Sequence, residues 1–206
     1  KSKLTLVVRQ DSNTEKYDSI QRVEEGRIVQ FLGHSIENSA PITKVMFTGI
    51  QIMEPDIFSR IPENKFYGTT EDVFPKMIQD GVPVYGFLHK GYWIDMGTRE
   101  TYIQAQKDAM DGKVVLKNSF SRNPEGPLVV PPSHIGKNCE ISQNAQVGPY
   151  TVIGDGCRIR PGAIVENSIL WSDVTIGNDT TIKNCIISSG TYIDAGKSLT
   201  DLSFSP

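Results

Sequence analysis

The sequence predicts a chain in two parts: an α/β region with a mixed sheet and few helices, followed by an all-β parallel coil. Three observations predict this fold class. Aliphatic residues recur every six positions in the last third of the chain, which is not a helical period. The first half instead contains short β-rich apolar runs and a few helical patterns. A segment rich in proline and glycine separates the two parts.

The repeat places one aliphatic residue in each hexad, and the spacing shortens by one residue after Val165 and again after Ile182. A small or β-branched residue such as Cys157 mostly follows four positions later, and glycine often follows directly, as at Gly154. A strand this short cannot bury its own face, so three hexads must close one triangular coil and the coils must stack. The predicted inward residues are Ile135, Ile141, Val147, Ile153, Ile159, Val165, Leu170, Ile176, Ile182, Ile187, Ile193 and Leu199.

This pattern resembles the hexapeptide-repeat left-handed parallel β-helix, and the left-handed winding is implied by that resemblance alone. Such coils serve either in assembly or in acyl transfer. Hexapeptide-repeat acyltransferases generally use a histidine base between coils, but here the nearby histidine is His134, which precedes the first clear hexad. We therefore favour assembly over acyl transfer and expect a homo-oligomer. Trp171 is the candidate anchor, unless its ring lies on its own coil.

Composition narrows the classes of partner. The 206 residues carry a net charge of −3 with both signs interspersed, so there is no basic stripe for nucleic acid and no polybasic patch for a membrane. No apolar run has the length of a membrane span and no signal peptide precedes Lys1, which indicates a soluble chain. Cys139, Cys157 and Cys185 follow the phase of the repeat, so we expect buried thiols and a cytoplasmic location.

The first region is predicted to contain six strands. Alternation and β-branched residues support each strand, and Gly26 supplies a residue that tolerates positive φ in the hairpin between the second and third. A loop, 33–41, precedes the fourth strand. The predicted strands are Lys3–Val8, Tyr17–Val23, Ile28–Phe31, Val45–Met53, Val82–Leu88 and Gly91–Ile94.

Three helices are predicted in the same region. A short helix opens at Pro55, because proline is favoured at the first helical position. A second helix is expected to have its N-cap near Asp72, which keeps Pro75 in the first turn, and to end at Gly81. Thr98 is expected to cap a third helix, 99–111, which Gly112 closes.

The order of these elements resembles the later part of a sugar-phosphate nucleotidyltransferase of the mannose-1-phosphate guanylyltransferase type. The stretch Gly91-Tyr-Trp-Ile-Asp-Met-Gly-Thr98 is the most specific match. Three more stretches follow the family order: Tyr17-Asp18 with Glu25–Phe31, Phe47–Ile50 and Asp72–Lys76. The resemblance implies residues 1–112 as the later part of a nucleotidyltransferase domain, 113–130 as a linker and 131–206 as the β-helix.

The family reaction is attack of a sugar-1-phosphate oxygen on the α-phosphorus of a nucleoside triphosphate, giving a nucleotide-sugar such as GDP-mannose and pyrophosphate. The resemblance therefore implies a nucleoside triphosphate and a sugar 1-phosphate as partners, with Mg²⁺ as cofactor. It also implies that Asp95 is one of two metal carboxylates, since hard oxygen ligands suit Mg²⁺. The alternative is that Asp95 braces the turn before Thr98.

Sugar and phosphate contacts are implied at Gly49 and Thr48, although Gly49 in a β-bulge is an equal alternative. The family's Glu-Lys-Pro segment is here Gly33-His34-Ser35, so His34 becomes a shorter, part-time substitute for a lysine. The family asparagine before the sugar-side glycine is also replaced.

A glycine-rich triphosphate loop and a second metal aspartate, which the family carries at its front, are not found in this sequence. Two hypotheses stay open. Either the chain is the sugar-side part of a larger enzyme and is inactive alone, or it belongs to a non-catalytic paralogue that organises partner subunits. The nucleobase, the sugar and the oligomeric order are left undetermined by the sequence.

Overall fold

The computed structural model describes residues 2–10, 20–23, 25–114 and 129–204. They form two compact units, which divide between Trp93 and Ile94. The first unit contains a mixed sheet with few helices, and the second contains a helix and a parallel β-solenoid of about four turns. The predicted fold class is confirmed. Most of the expected linker, residues 115–128, lies outside the described residues.

Six strands form the sheet of the first unit: β1 (Leu4–Arg9), β2 (Ile20–Val23), β3 (Ile28–Phe31), β4 (His34–Ser35), β5 (Ile42–Met53) and β6 (Val84–Leu88). Their order across the sheet is β4-β3-β2-β5-β1-β6. All neighbours are antiparallel except β1 and β6, which are parallel. The sheet therefore brings the carboxyl ends of β1 and β6 to the same edge.

One face of this sheet is buried. Leu4, Leu6 and Val8 alternate along β1 and are fully buried, as a half-covered strand requires. The covering elements are a 3₁₀ helix (Pro55–Arg60), a π-helical turn (Thr69–Val73) and helix α1 (Phe74–Gln79). Phe74 packs edge-to-face against Phe31 with ring centroids 6.0 Å apart, an arrangement that aromatic quadrupoles favour.

The predicted N-cap near Asp72 is confirmed in position, since α1 has its N-cap at Val73 and Pro75 lies in its first turn. The Asp72 carboxylate does not cap this helix, because it accepts a hydrogen bond from the N–H of Gly68 in the π-helical turn that begins at Thr69. The predicted strand Gly91–Ile94 is wrong: these residues form no strand, and Trp93 is held by side-chain contacts rather than by a ladder. Strand β6 also begins two residues later than predicted, directly after Pro83, which has no N–H to donate.

Thirteen short strands form the solenoid: β7 (Ser133–Ile135), β8 (Glu140–Ile141), β9 (Gln146–Val147), β10 (Thr151–Ile153), β11 (Arg158–Ile159), β12 (Ile164–Glu166), β13 (Ile169–Leu170), β14 (Thr175–Ile176), β15 (Thr181–Lys183), β16 (Ile186–Ile187), β17 (Tyr192–Ile193), β18 (Ser198–Thr200) and β19 (Ser203–Phe204). Every third strand pairs in parallel, which produces three sheets. The chain thus visits each sheet once in every turn.

Stacking of the coils determines which side chains meet. Ile159 pairs with Ile141, eighteen residues earlier, and with Ile176, seventeen residues later. This difference is the one-residue shortening seen in the sequence. The fully or almost fully buried residues of this core include Val147, Ile153, Ile159, Val165, Leu170, Ile176, Ile182, Ile187 and Ile193. Ile135, Ile141 and Leu199 are partly buried and pack against it.

The corners of the coil contain the residues with positive φ. Asn167, Asn184 and Asp201 occupy one corner in successive coils with φ of 47°, 53° and 57°. The amide of Asn167 donates to Asn184 Oδ1 at 2.9 Å, and the amide of Asn184 donates in turn to Asp201 Oδ1. Asparagine and aspartate tolerate this left-handed conformation better than other L residues.

Gly154 and Gly177, two of the glycines that directly follow aliphatic residues of the repeat, lie where successive coils approach each other closely. A Cβ on Gly154 would lie 2.7 Å from the carbonyl carbon of Trp171, and one on Gly177 would lie 2.5 Å from the nitrogen of Ala195. Neither glycine requires positive φ. These positions are glycine because the neighbouring coil passes too close for a side chain.

Helix α2 (Arg99–Met110) belongs to the same unit as the solenoid and is fastened to it at both ends. The Arg99 guanidinium donates to the carbonyl of Asn184 at 2.5 Å and lies 3.5 Å from the Asp201 carboxylate. At the other end, the hydroxyl of Tyr150 donates to Asp111 at 3.1 Å. The predicted Thr98 cap is present, since its hydroxyl accepts from the N–H of Thr101.

Cys157 and Cys185 are fully buried free thiols, and Cys139 is half-buried. Burial raises the pKa of the Cys157 thiol to about 11, so the sulfur stays protonated and unreactive at neutral pH. None of the helices in the described ranges has the length and apolar character to cross a membrane.

The core positions of the solenoid should dominate its stability. We expect Ile176→Ala to lower the free energy of unfolding by about 2–4 kcal/mol, because the two stacked neighbours cannot close the cavity. Lys137→Ala, at an exposed corner position, should change it by less than about 0.5 kcal/mol. Chemical denaturation of both variants measures the difference, and equal losses would contradict the stacking register.

Candidate functional site

Strand β5 carries a bulge opposite β1. Leu6 pairs with Gln51, but Val8 pairs with Phe47, so three residues of β5 lie opposite Val7 alone. Gly49 is the middle residue and has φ of +85°. It is exposed, and nothing lies within 4 Å of the position that a Cβ would occupy. The bulge therefore presents an open stretch of backbone on which a ligand can approach without meeting a side chain.

Thr48 holds this bulge in place from inside. Its hydroxyl donates to the carbonyl of Val7 at 2.8 Å, and its own carbonyl accepts from the indole N–H of Trp93 at 3.2 Å. The residue is only 8% exposed. The hydroxyl proton of Thr48 is thus used in a hydrogen bond within the protein. The hydroxyl oxygen can still accept a hydrogen bond from a ligand.

Arg9 completes the arrangement at the end of β1. Its guanidinium donates to the carbonyl of Trp93 at 3.2 Å and lies 5.7 Å from the centroid of the Trp93 ring. A planar guanidinium suits both contacts, because it hydrogen-bonds in its plane and stacks through its face. Trp93 is therefore fixed on one side by Arg9 and on the other by Thr48. We call Arg9, Trp93, Thr48 and Gly49 the bulge cluster.

The family motif contains Trp93, but sequence reasoning missed Arg9. An arginine at a strand end is ordinary, and its role depends on a partner eighty-four residues away. The segment after β6 leads to Trp93. This segment lies beside the end of β1 only because β1 and β6 are paired. The only sequence signal available was the apolar alternation of β1, which places Arg9 on the face opposite Leu4, Leu6 and Val8.

His34 lies away from the bulge cluster. It follows a tight turn in which Leu32 and Gly33 both have positive φ, and its strand β4 is an edge strand separated from β5 by β3 and β2. Its side chain is exposed, and its Nδ1 lies 2.5 Å from the amide nitrogen of Gln79 on α1. No hydrogen bond between His34 and the bulge cluster occurs among the described residues.

Asp95 lies in the second compact unit, in the turn that leads into α2. It is exposed, and its Oδ1 accepts a hydrogen bond from the N–H of Gly97 at 3.1 Å. This contact orients the carboxylate, and within the described residues Oδ2 accepts no hydrogen bond from the turn. Bracing of the turn and metal binding are compatible, because one oxygen serves each purpose.

A metal ion would need further ligands. No group of three or more histidine, cysteine, aspartate or glutamate side chains with the spacing of a metal site occurs in the described ranges. Asp95 fits Mg²⁺ as a single hard oxygen ligand, since this ion is commonly held by one or two carboxylates and by substrate phosphates. Asp95 is therefore the candidate for one ligand of such an ion.

Two protein-family models match this chain, over separate ranges of residues. A family model described as "Nucleotidyl transferase" matches residues 1–112. A second model, described as "GMPPB C-terminal domain", matches residues 129–205. The two matches together cover most of the chain and leave residues 113–128 unmatched between them.

Three curated relatives show how the similarity is distributed. A mannose-1-phosphate guanylyltransferase of Mycobacterium tuberculosis is 27% identical over 174 residues, which is 84% of this chain and 46% of the relative. A UTP–glucose-1-phosphate uridylyltransferase of Synechocystis is 24% identical over 204 residues, 86% of this chain and 51% of the relative. A glucose-1-phosphate adenylyltransferase of Clostridium botulinum is 31% identical over 122 residues, 56% of this chain and 28% of the relative. The chain thus spans about half the length of the first two.

The geometry of the bulge makes a prediction about Gly49. Gly49→Ala should lower the free energy of unfolding of the first unit by about 1–2 kcal/mol, because an L residue is strained at this φ although space is available. Gly49→Asn should lose less, since asparagine tolerates positive φ. Urea denaturation followed through the fluorescence of Trp93, in a Trp171→Phe background, measures both losses. An alanine variant as stable as its background would rule out backbone strain at this position.

Proposed function

Because the chain belongs to the nucleotidyl transferase family, we propose that it forms the sugar side of an active site that joins a nucleotidyl group to a sugar 1-phosphate. The observation that carries the proposal is the family match over residues 1–112, which includes the Trp93–Thr98 motif. The names of the three relatives support the substrate class, since each name is that of a sugar-1-phosphate nucleotidyltransferase. The reaction would be that of the complete protein.

In the proposed reaction, a phosphate oxygen of the sugar 1-phosphate attacks the α-phosphorus of a nucleoside triphosphate. A new P–O–P bond forms to the sugar phosphate, the bond between the α-phosphorus and the bridging oxygen to the β-phosphorus breaks, and pyrophosphate leaves with the electron pair. No proton has to be removed from the attacking phosphate when it is ionised. The work of the protein is therefore to position two anions and to offset their repulsion.

Mg²⁺ would supply charge neutralisation for the phosphates when bound. In this chain the Asp95 carboxylate is the residue that we propose as its ligand. The hydrogen bond from the N–H of Gly97 to Oδ1 holds the carboxylate in one orientation. The side chain therefore loses less rotational entropy when it binds a metal ion. The Thr98 cap then fixes the turn at the start of α2.

The bulge cluster would act on the sugar. Gly49 offers backbone without a side chain, and the Thr48 contacts keep that backbone rigid. Rigid backbone groups make good hydroxyl partners because they need no reordering when the substrate binds. His34 is our candidate for a phosphate contact in place of the family lysine, with the Gln79 amide beside it, although it lies on the edge strand β4 and not at the bulge cluster.

Within this class we propose a guanylyltransferase that forms GDP-mannose. The support is the C-terminal match over residues 129–205 together with the M. tuberculosis relative. The other relatives are named for uridylyl and adenylyl transfer to glucose 1-phosphate, so the nucleobase and the sugar need a direct assay. Incubation of the complete protein with each triphosphate and each hexose 1-phosphate, with detection of the nucleotide-sugar, identifies the pair.

The metal role of Asp95 can be separated from its structural role. In the complete protein, Asp95→Asn should reduce pyrophosphate formation by about a hundredfold or more, because the metal loses a charged ligand. The free energy of unfolding should change by less than about 0.5 kcal/mol, since amide and carboxylate oxygens both accept from Gly97. Glu63→Gln, another exposed position, is the matched control. If Asp95→Asn instead destabilises the fold markedly and leaves turnover unchanged, the role of Asp95 is to brace the turn and not to bind metal.

The solenoid favours a second role, as an assembly unit for copies of this chain. Trp171 is 47% exposed and Tyr192 is 64% exposed, although both belong to regular coils. Large aromatic side chains of this kind are common anchors of interfaces. A non-catalytic protein that organises partner subunits would keep this surface, and it would differ from the enzyme in showing assembly without turnover. Buried free thiols such as Cys157 fit the reducing cytoplasm that we propose for either role.

Self-assembly should depend on Trp171. We expect light scattering of the wild type to give a mass above that of one chain, and Trp171→Ala to shift the equilibrium toward the monomer through loss of the aromatic contact. Phe66→Ala, which removes a 94% exposed aromatic residue from the first unit, is the control and should leave the mass unchanged. A strictly monomeric wild type at high concentration would contradict the assembly role.

A further inference from the structure

The carboxyl ends of β1 and β6 border a small open pocket of about 150 Å³. Its lining consists of Arg9, Gln10, Leu88, His89, Lys90 and Gly91. The first two residues lie at the end of β1, and the other four end β6 or follow it directly. The pocket is therefore built from the carboxyl ends of two adjacent parallel strands, the position at which parallel α/β sheets commonly bind ligands.

The pairing of the strands places Arg9 beside His89. Val8 pairs with Leu88, and the N–H of His89 donates to the carbonyl of Val8 at 2.7 Å. Because side chains alternate along both strands, the residues after this pair, Arg9 and His89, point to the same face. A Cβ on Gly91 would lie 2.7 Å from the His89 ring, so glycine at this position lets the imidazole lie directly over the backbone.

The pocket is lined by cationic and neutral groups, with no acidic residue among them. The Arg9 guanidinium is held by the Trp93 carbonyl and ring, so its charge is fixed before any ligand arrives. The Lys90 side chain is exposed, and within the part of the chain that the structure describes no ion pair occupies its ammonium group. The Gln10 amide adds an uncharged donor. Positive groups gathered in a concave site raise the local concentration of anions.

We propose that this pocket binds the phosphate group of a small anionic ligand. Arginine presents a planar fork of donors that matches phosphate oxygens, and lysine adds a mobile point charge on the open side. A phosphate group is small enough for a space of about 150 Å³, and the rest of a ligand would extend through the open mouth. The pocket is a binding site in its own right, and its existence does not depend on the proposed nucleotidyl transfer.

Trp93 provides a readout, because its ring lies against the Arg9 guanidinium. The chain contains two tryptophans, so the Trp171→Phe variant leaves Trp93 as the single indole. Titration of this variant with inorganic phosphate, at constant ionic strength set by sodium chloride, should give a saturable fluorescence change. A parallel titration with a hexose 6-phosphate distinguishes free phosphate from a phosphomonoester as the better ligand. Neither probe is a substrate of the proposed reaction, so the result is independent of it.

Lys90→Gln in the same background should weaken phosphate binding by about fivefold, the size expected for one partly screened charge contact. Lys65→Gln is the matched control, because Lys65 is another exposed lysine of the same unit that lies over Tyr67 instead. Backbone amide shifts of Lys90 and Gly91 in NMR spectra should move with the same midpoint. A response that does not saturate, or equal weakening by both lysine variants, would overturn the proposal.

Discussion

The stacking of one coil on the next is the constraint on which the second unit depends. Each inward side chain must meet its counterpart seventeen or eighteen residues away, so the core is a set of columns rather than a collection of pairwise contacts. Close approach of the coils requires glycine at Gly154 and Gly177, where any side chain would collide with the next turn. The corner residues Asn167 and Asn184 then join successive coils through their side chains. A single displaced coil would disturb all of these contacts together.

The solenoid also positions the candidate metal ligand. Arg99, the first residue of α2, is fastened to the corner formed by Asn184 and Asp201. Asp95 lies only a few residues before this anchor, in a turn closed by its own contact with Gly97 and by the Thr98 cap. The position of the carboxylate is therefore tied to the stacked coils through α2. This connection gives the solenoid a role in the proposed chemistry besides assembly, because a metal ligand must be held in place to be useful.

Much of the fold followed from the sequence, and the failures have identifiable causes. The sequence predicted the six-residue period and its two shortened spacings. It also predicted the burial of residues such as Ile176, because a repeat shows the same pattern of contacts many times. Single, local signals were less reliable. The sequence located the start of α1 to within one residue of Asp72, but it did not show that the Asp72 carboxylate accepts from Gly68 in a π-helical turn instead of capping the helix. Gly91–Ile94 had the composition of a strand, but the Trp93 indole binds the Thr48 carbonyl instead.

The sequence by itself determined the fold class, the solenoid core and the motif that contains Asp95. Each of these depends on periodicity or on adjacent residues, which a linear sequence displays directly. Tertiary structure alone decided that Arg9 clamps Trp93, that Thr48 supports the bulge at Gly49, and that Arg9 and Lys90 share a pocket. The physical reason is that all these contacts join residues far apart in the chain, which only strand pairing brings together. Parallel pairing of β1 with β6 places Arg9 beside Lys90 and near Trp93, and antiparallel pairing of β5 with β1 places Thr48 against Val7.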